Sequence, residues 1–200
     1  MVQNPRQAGG ARERARRAMR AQISQIALDL CLDAGYDSTT VEQICAAAEI
    51  SRTTFFRYFT SKDDALLGDG DSVGLELLEA LRERPVDEPV WQSLRHALGA
   101  LSRSYASDTE RSRQLITLMY STPSLAAAHS GKHARWSPLL RPEVSRRLQI
   151  DPDDRSDPRP HALICSALSC ADAAITAWIF QDTSDTIDEL LARAMTAVAQ

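Results

Sequence analysis

Apolar positions recur at three- and four-residue spacing along most of the chain, and no stretch shows the sustained alternation of a strand, so the pattern predicts an all-α protein. The first apolar face is Ile23, Ile26, Ala27, Leu30, Cys31 and Ala34, closed by Gly35 as a helix-ending glycine. Thr40 with Gln43 three residues on is a capping box, opening a two-turn helix that turns Val41, Ile44, Cys45 and Ala48 inward. After a tight Glu49-Ile50-Ser51 connection, Ser51 caps a third short helix that runs through Phe59. Two short helices joined in this way predict a helix-turn-helix. Ser61 and Asp64 form another box, which starts a fourth helix at Lys62 that continues to about Glu83. Gly68, Gly70 and Gly74 weaken it at roughly 1 kcal/mol each, so a kink or frayed turn is expected between Leu67 and Val73.

Further helices are expected over 90–106, 109–121, 125–149, 157–180 and 186–199. The charged stretch from Asp151 to Pro160, with Asp-Pro twice, reads as a loop with a disordered tip. Residues before Met19 lack an apolar face and read as a flexible arm.

Charge sharpens this picture. The formal net charge of -4 and pI near 5.6 exclude a chain that coats nucleic acid along its whole surface. Yet Arg6, Arg12, Arg14, Arg16, Arg17 and Arg20 face only Glu13 within the first twenty residues, while most of the acid follows Asp64. A basic arm on an acidic body suits a protein that meets a polyanion at one end. Cys31, Cys45, Cys165 and Cys170 lie in apolar helical patterns without a C-x-x-C pair or a preceding secretory segment, so they read as reduced core thiols of a cytoplasmic protein. The apolar run 161–180 is long enough to span a membrane, but His161, Ser166, Ser169, Asp172 and Thr176 would need partners in hydrocarbon. It is therefore expected in a soluble core or a subunit interface.

The chemistry points to binding. Arg52, Thr53, Thr54, Arg57 and Tyr58 give the third helix a polar, cationic reach, while Phe55 and Phe59, four apart, anchor its other side. Lys62 stands just beyond, where it would pair a phosphate as a point charge. Nothing in the sequence assembles a nucleophile, a base and an electrophilic stabiliser. His129 and His133 are four apart, but Ser130-Gly131-Lys132 between them lacks a zincin glutamate, so they read as polar surface. No catalytic residue, metal or cofactor is assigned, and the chain is not expected to be an enzyme.

The run Thr39-Thr40-Val41-Glu42-Gln43-Ile44-Cys45-Ala46-Ala47-Ala48, followed by Ser51-Arg52-Thr53-Thr54-Phe55-Phe56-Arg57-Tyr58-Phe59-Thr60-Ser61-Lys62, resembles the DNA-binding domain of TetR regulators over Ala21 to Leu67. The resemblance implies about nine helices, three for DNA and the rest for ligand and dimer, with two recognition helices entering successive major grooves of a palindrome. The expected organisation is an arm at 1–18, a helix-turn-helix domain at 19–62 and a ligand-binding and dimerisation domain at 63–200. Carried over, the pattern assigns Arg52, Thr53 and Thr54 to base edges, and Thr40, Arg57, Tyr58 and Lys62 mainly to the DNA backbone, with Ser51 and Phe56 also counted in the DNA-binding surface. Phe56 stands where the family usually has a phosphate-reaching tyrosine. The resemblance also places a four-helix dimer interface in the last two helices, for which Ala167, Ala171, Ala174, Ala177, Leu191 and Met195 offer small and apolar contacts.

Apolar wall candidates for a ligand are Trp91, Leu115, Met119, Tyr120, Trp136, Leu140 and Trp178. The stretch from Phe55 to Asp71 is similar to a TetR subgroup that includes mycofactocin-system regulators, which implies an acyl-coenzyme A-like effector, with Arg113, Lys132, His133 or Arg135 for its anionic headgroup. The expected function is a ligand-responsive repressor released from its operator by a small apolar effector. The competing expectation is a helical protein-interaction module without specific DNA binding.

Overall fold

The computed structural model describes residues 5–68, 70–105, 109–180 and 185–199, and all regular structure among them is helical. In chain order the helices are α1 (Pro5–Ala34), α2 (Val41–Ala47), α3 (Arg52–Tyr58), α4 (Lys62–Leu67), α5 (Gly70–Arg82), α6 (Val90–Tyr105), α7 (Thr109–Ser121), α8 (Pro123–Arg147), α9 (Arg159–Phe180) and α10 (Ile187–Val198). The chain falls into two compact units, one of Met1–Asp69 with Leu118–Ala128, the other of Gly70–Thr117 with His129–Gln200.

The first unit is built by its helix ends. Gly35, at φ 89°, takes the left-handed turn that closes α1 and donates its N–H to Cys31 O at 3.0 Å. The Thr40 hydroxyl accepts from Gln43 N and the Gln43 side chain accepts from Thr40 N, so the expected capping box forms in both directions. Glu49 leaves α2 at φ 55°, its N–H on Ala46 O, while Ile50 N donates to Cys45 O at 3.0 Å. That pairing is a Schellman motif built without glycine. Ser51 caps α3 through Thr54 N, and Ser61 caps α4 through Asp64 N. The return half of the Ser61 box differs from expectation, since the Asp64 carboxylate accepts from Thr60 N at 2.8 Å. Ile23, Ala27, Ile44, Phe55, Phe59 and Ala65 fill the core between these helices, each at most 1% exposed.

Two expectations shift here. Helix α1 runs back to Pro5 through the segment expected to be a flexible arm, because alanine, arginine and glutamine hold a helix by propensity without an apolar face. The side chains of Arg6 and Arg12 lie outside the described residues; Arg14, Arg16 and Arg17 are exposed. Arg20 leaves the arm group altogether. It is buried, donates to the Tyr58 and Gly68 carbonyls, and stacks 4.4 Å from the Phe59 ring centroid. The expected break in the fourth helix falls at Gly68, whose φ of 70° and ψ of -157° end α4 in a conformation that favours glycine. The single helix expected there is thus α4 and α5, which turns about nine helices into ten segments among the described residues.

The second unit is organised by buried polar groups. Arg147, its side chain fully buried near the end of α8, donates to the carbonyls of Leu81 (2.7 Å), Arg84 (2.8 Å) and Pro85 (2.8 Å) and to Ser93 Oγ (3.1 Å), and pairs with Glu143 at 2.8 Å. One guanidinium therefore caps the end of α5, where backbone acceptors have run out of intrahelical donors. Arg146 and Arg147 hold the Glu143 carboxyl below its ordinary value, against the opposing effect of burial. Arg84, with Ser93 beside it, holds Glu88 at about 2. The two early glycines of α5 receive α8: the Trp136 indole donates to Gly70 O at 2.7 Å, and a Cβ on Gly74 would lie 2.6 Å from the Trp136 ring. Helix α8 carries Pro138 and Pro142 internally. It ends with Gln149 at φ 57° and Ile150 N on Ser145 O, repeating the motif that ends α2.

Helix α9 is long and apolar enough to cross a membrane by length and composition, yet it packs along α10 and α6. Cys31, Cys45 and Cys170 are buried free thiols, raised by burial, and Cys165 is partly buried. The loop before α9, expected to have a disordered tip, is ordered by successive Asx turns: Asp151 accepts from Asp153 N, Asp154 from Ser156 N and Asp157 from Arg159 N.

Candidate DNA interface and effector cleft

Helix α3 divides as the sequence predicts. Phe55 and Phe59 are buried with ring centroids 5.4 Å apart, which fixes the helix to its unit. Ser51, Arg52, Thr53, Phe56 and Arg57 are exposed, Thr54 and Tyr58 are partly so, and Thr40 is exposed at the start of α2. Arg52 pairs with Glu42 on α2 and lies 5.7 Å from the Phe56 ring centroid, and the Arg57 guanidinium stacks on Tyr58 at 5.2 Å. An exposed pair such as Arg52–Glu42 is worth only about 0–1 kcal/mol, so a base edge can replace the glutamate at little cost. Phe56, 48% exposed, presents a ring where a phosphate-binding hydroxyl was missing.

Lys62 departs from the reading as a phosphate contact. Its ammonium donates to the carbonyls of Tyr36 (2.5 Å) and Thr39 (2.8 Å) and sits 3.7 Å from the Tyr36 ring centroid. Thr39, buried beside it, donates its hydroxyl to Gly35 O and Leu30 O. Both side chains tie down the turn between α1 and α2, where local backbone acceptors have no helical partner. The signal was present in Gly35 and in the short connection, but it identifies acceptors only and leaves their donor unnamed.

In the second unit a cleft of about 770 Å³ is lined by His133, Ala134, Ser137, Pro138 and Arg141 of α8, Arg155, Asp157 and Pro158 of the ordered loop, and His161, Cys165, Leu168 and Ser169 of α9. Its size falls among ligand pockets, which run roughly 300–1,000 Å³. Arg141 also donates to the Asp154 carbonyl at 2.5 Å and so braces the loop that forms one wall. None of Trp91, Leu115, Met119, Tyr120, Trp136, Leu140 and Trp178 lines this cleft. Met119 and Tyr120 fall in the other unit; Leu140 is buried, Leu115 is partly buried, and the Trp91 indole donates to Met195 O. Trp178 is buried under the Arg113 guanidinium at 4.6 Å. Among the residues proposed for a headgroup, Arg135 pairs with Asp71, Lys132 is buried against Gly70, and His133 alone reaches the cleft.

The expected dimer residues divide too. Ala167, Ala174, Leu191 and Met195 are each 1% exposed within the single chain, where α9 and α10 pack on each other. They are consumed by the subunit's own core, which makes them unsuitable as the contact surface; Ala171 and Ala177 remain partly accessible. The accessible line of α9 runs instead through Ala162, Ser169, Ala173 and Phe180, the last 78% exposed.

A capped pair of short helices, the second anchored by two phenylalanines and offering Arg52, Thr53 and Arg57 to solvent, defines a helix-turn-helix DNA-binding protein. Residues 23–67 match the family of bacterial regulatory proteins named tetR, and residues 88–200 match the MftR C-terminal domain. The chain belongs to the TetR family of transcriptional regulators. It is 33% identical to the HTH-type transcriptional regulator TcmR of Streptomyces glaucescens, over 75% of this chain and 69% of that one. It is 30% identical to MftR of Mycobacterium tuberculosis, named as a mycofactocin biosynthesis transcriptional regulator, over 88% and 87%. A TetR-family regulator from Syntrophomonas wolfei shares the fold at a TM-score of 0.61 and 17% identity, over 90% and 92% of the chains. FadR of Thermus thermophilus, solved with lauroyl-CoA, does so at 0.53 and 23%, over 90% and 93%. The DNA-binding regulator reading stands, and the interaction-module alternative gives way to it.

Proposed function

We propose that this protein is a cytoplasmic, homodimeric repressor that leaves a palindromic operator when a long-chain acyl-coenzyme A or a similar amphipathic anion occupies the cleft between α8, α9 and the 151–158 loop. The observation that carries this is the cleft's composition, with Arg141, Arg155 and His161 beside Pro138, Pro158 and Leu168. Cationic groups for a phosphorylated headgroup thus adjoin apolar surface for a chain. The lauroyl-CoA bound by the Thermus protein supports the same ligand class.

On DNA, Arg52, Thr53 and Thr54 read base edges, Phe56 meets a thymine methyl or sugar, and Thr40, Ser51, Arg57 and Tyr58 hold the backbone. The two-fold pairing uses the accessible line of α9 through Ala162, Ser169, Ala173 and Phe180, together with Ala171 and Ala177. The test is selection of operator DNA from a random duplex library, followed by titration of the complex with lauroyl- and palmitoyl-coenzyme A, free coenzyme A and free fatty acid. A palindromic motif whose affinity falls at least about tenfold with acyl-coenzyme A alone is the expected result, equivalent to about 1.4 kcal/mol of coupling. Arg141→Ala and Arg155→Ala should blunt release while leaving ligand-free operator binding intact. Release that is indifferent to every acyl compound would sink the effector assignment.

A further inference from the structure

The second unit gathers three ligating side chains that neither the DNA reading nor the effector reading uses together. His129 and His133, four apart on α8, stand side by side with ring centroids 5.0 Å apart. Asp172, brought in from α9, faces both: Oδ1 lies 3.1 Å from His129 Nε2 and Oδ2 lies 3.3 Å from His133 Nδ1. One ligand atom from each residue falls within 4.8 Å of the other two, and all three side chains are partly buried. A tetrahedral ion with bonds of about 2.0–2.1 Å separates its ligand atoms by roughly 3.3–3.4 Å. The two carboxylate–imidazole separations, each made by a different Asp172 oxygen, are close to that edge, so an ion can enter once the carboxylate turns to present one oxygen between the rings or binds through both. A donor set of two imidazoles and one carboxylate suits zinc and its neighbours and disfavours calcium or magnesium, which prefer all-oxygen shells.

We propose that His129, His133 and Asp172 form a binding site for one zinc-type divalent ion per chain, with its fourth position open to water or a small anion. The imidazoles ligate in their neutral form. His133 also lines the effector cleft, so an ion held here belongs to the cleft wall. The proposal does not depend on acyl-coenzyme A being the effector.

The test uses the full chain, free of any affinity tag and stripped with chelator, titrated with Co2+. The expected result is a visible absorption band of a low-coordinate cobalt site that saturates at one ion per chain, is displaced by Zn2+, and is lost in His129→Ala, His133→Ala and Asp172→Asn proteins of unchanged helicity. Ring-nitrogen NMR of the unmodified protein supplies a second readout that needs no variant. Zn2+ should shift His129 and His133 and leave His96 and His161 in place. Absence of a saturable band, the same band in the His129→Ala/His133→Ala double variant, or zinc-induced shifts confined to His96 and His161 would overturn the site.

Discussion

The two units of this chain are held together by different kinds of contact. In the DNA-binding unit the helix starts are set by local hydrogen bonds: Thr40 to Gln43, Ser51 to Thr54 and Ser61 to Asp64 each span three residues. In the second unit the decisive bonds span more than fifty, with Arg147 reaching Ser93, Pro85 and Leu81, and Trp136 reaching Gly70. The first arrangement tolerates the loss of any one cap, because each satisfies a single orphan group. The second concentrates several acceptors on one guanidinium, so its loss is felt at once in α5, α6 and α8.

That contrast can be broken by substitution. Arg147→Ala should have the largest effect, about 3–5 kcal/mol in urea unfolding, since it leaves three interior backbone carbonyls without this donor and Glu143 with Arg146 as its remaining cationic partner. A loss below 1 kcal/mol would show that the hub is dispensable. Lys62→Ala removes longer-range bonds of the DNA-binding unit, since those to Tyr36 and Thr39 cross more than twenty residues. It should cost about 1–2 kcal/mol, with the slope of log affinity against log salt for operator binding unchanged. A slope reduced by about one would return Lys62 to the phosphate backbone. Thr40→Ala, which removes one half of a capping box, should cost about 1 kcal/mol in thermal unfolding. The smallest effect is one of pH. Glu88 is held at about 2 by Arg84, below its ordinary 4.5, so its contribution is complete above pH 4.5 and fades as pH falls towards 2. Glu88→Gln should flatten the acid limb of the stability profile and leave an unmodified limb elsewhere; an identical limb in both proteins would remove Glu88 from the account.

The same contrast explains what could be read beforehand. Caps, the closing glycine at Gly35, the division of α3 and the break at Gly68 are written in neighbouring residues, and each appears where its local chemistry puts it. The residues whose places their neighbours do not announce are those whose partners are remote. Arg20 reads with the exposed arginines because nothing near it announces the Tyr58 carbonyl, 38 residues away. Aromatic side chains read as pocket walls because an apolar wall and an apolar core have one composition; Trp136 packs against Gly70 and Gly74. The cleft came instead from prolines, arginines and a charged loop, which periodicity does not mark. His129 and His133 read as polar surface because no glutamate stands between them; Asp172, which faces both rings, comes from α9, 39 positions beyond His133.

One feature of the chain's connectivity bears on how the protein is made. The DNA-binding unit is discontinuous: it takes up Leu118–Ala128 after the chain has already traversed Gly70–Thr117, and Ser124 from that return segment stands 2.8 Å from the Tyr36 hydroxyl. On the ribosome, therefore, the recognition helix is synthesised early, but the unit that carries it is completed only after residue 128 has emerged. Folding of the DNA reader is thereby tied to synthesis of part of the second unit, and a fragment cut after α4 would lack a piece of its own unit.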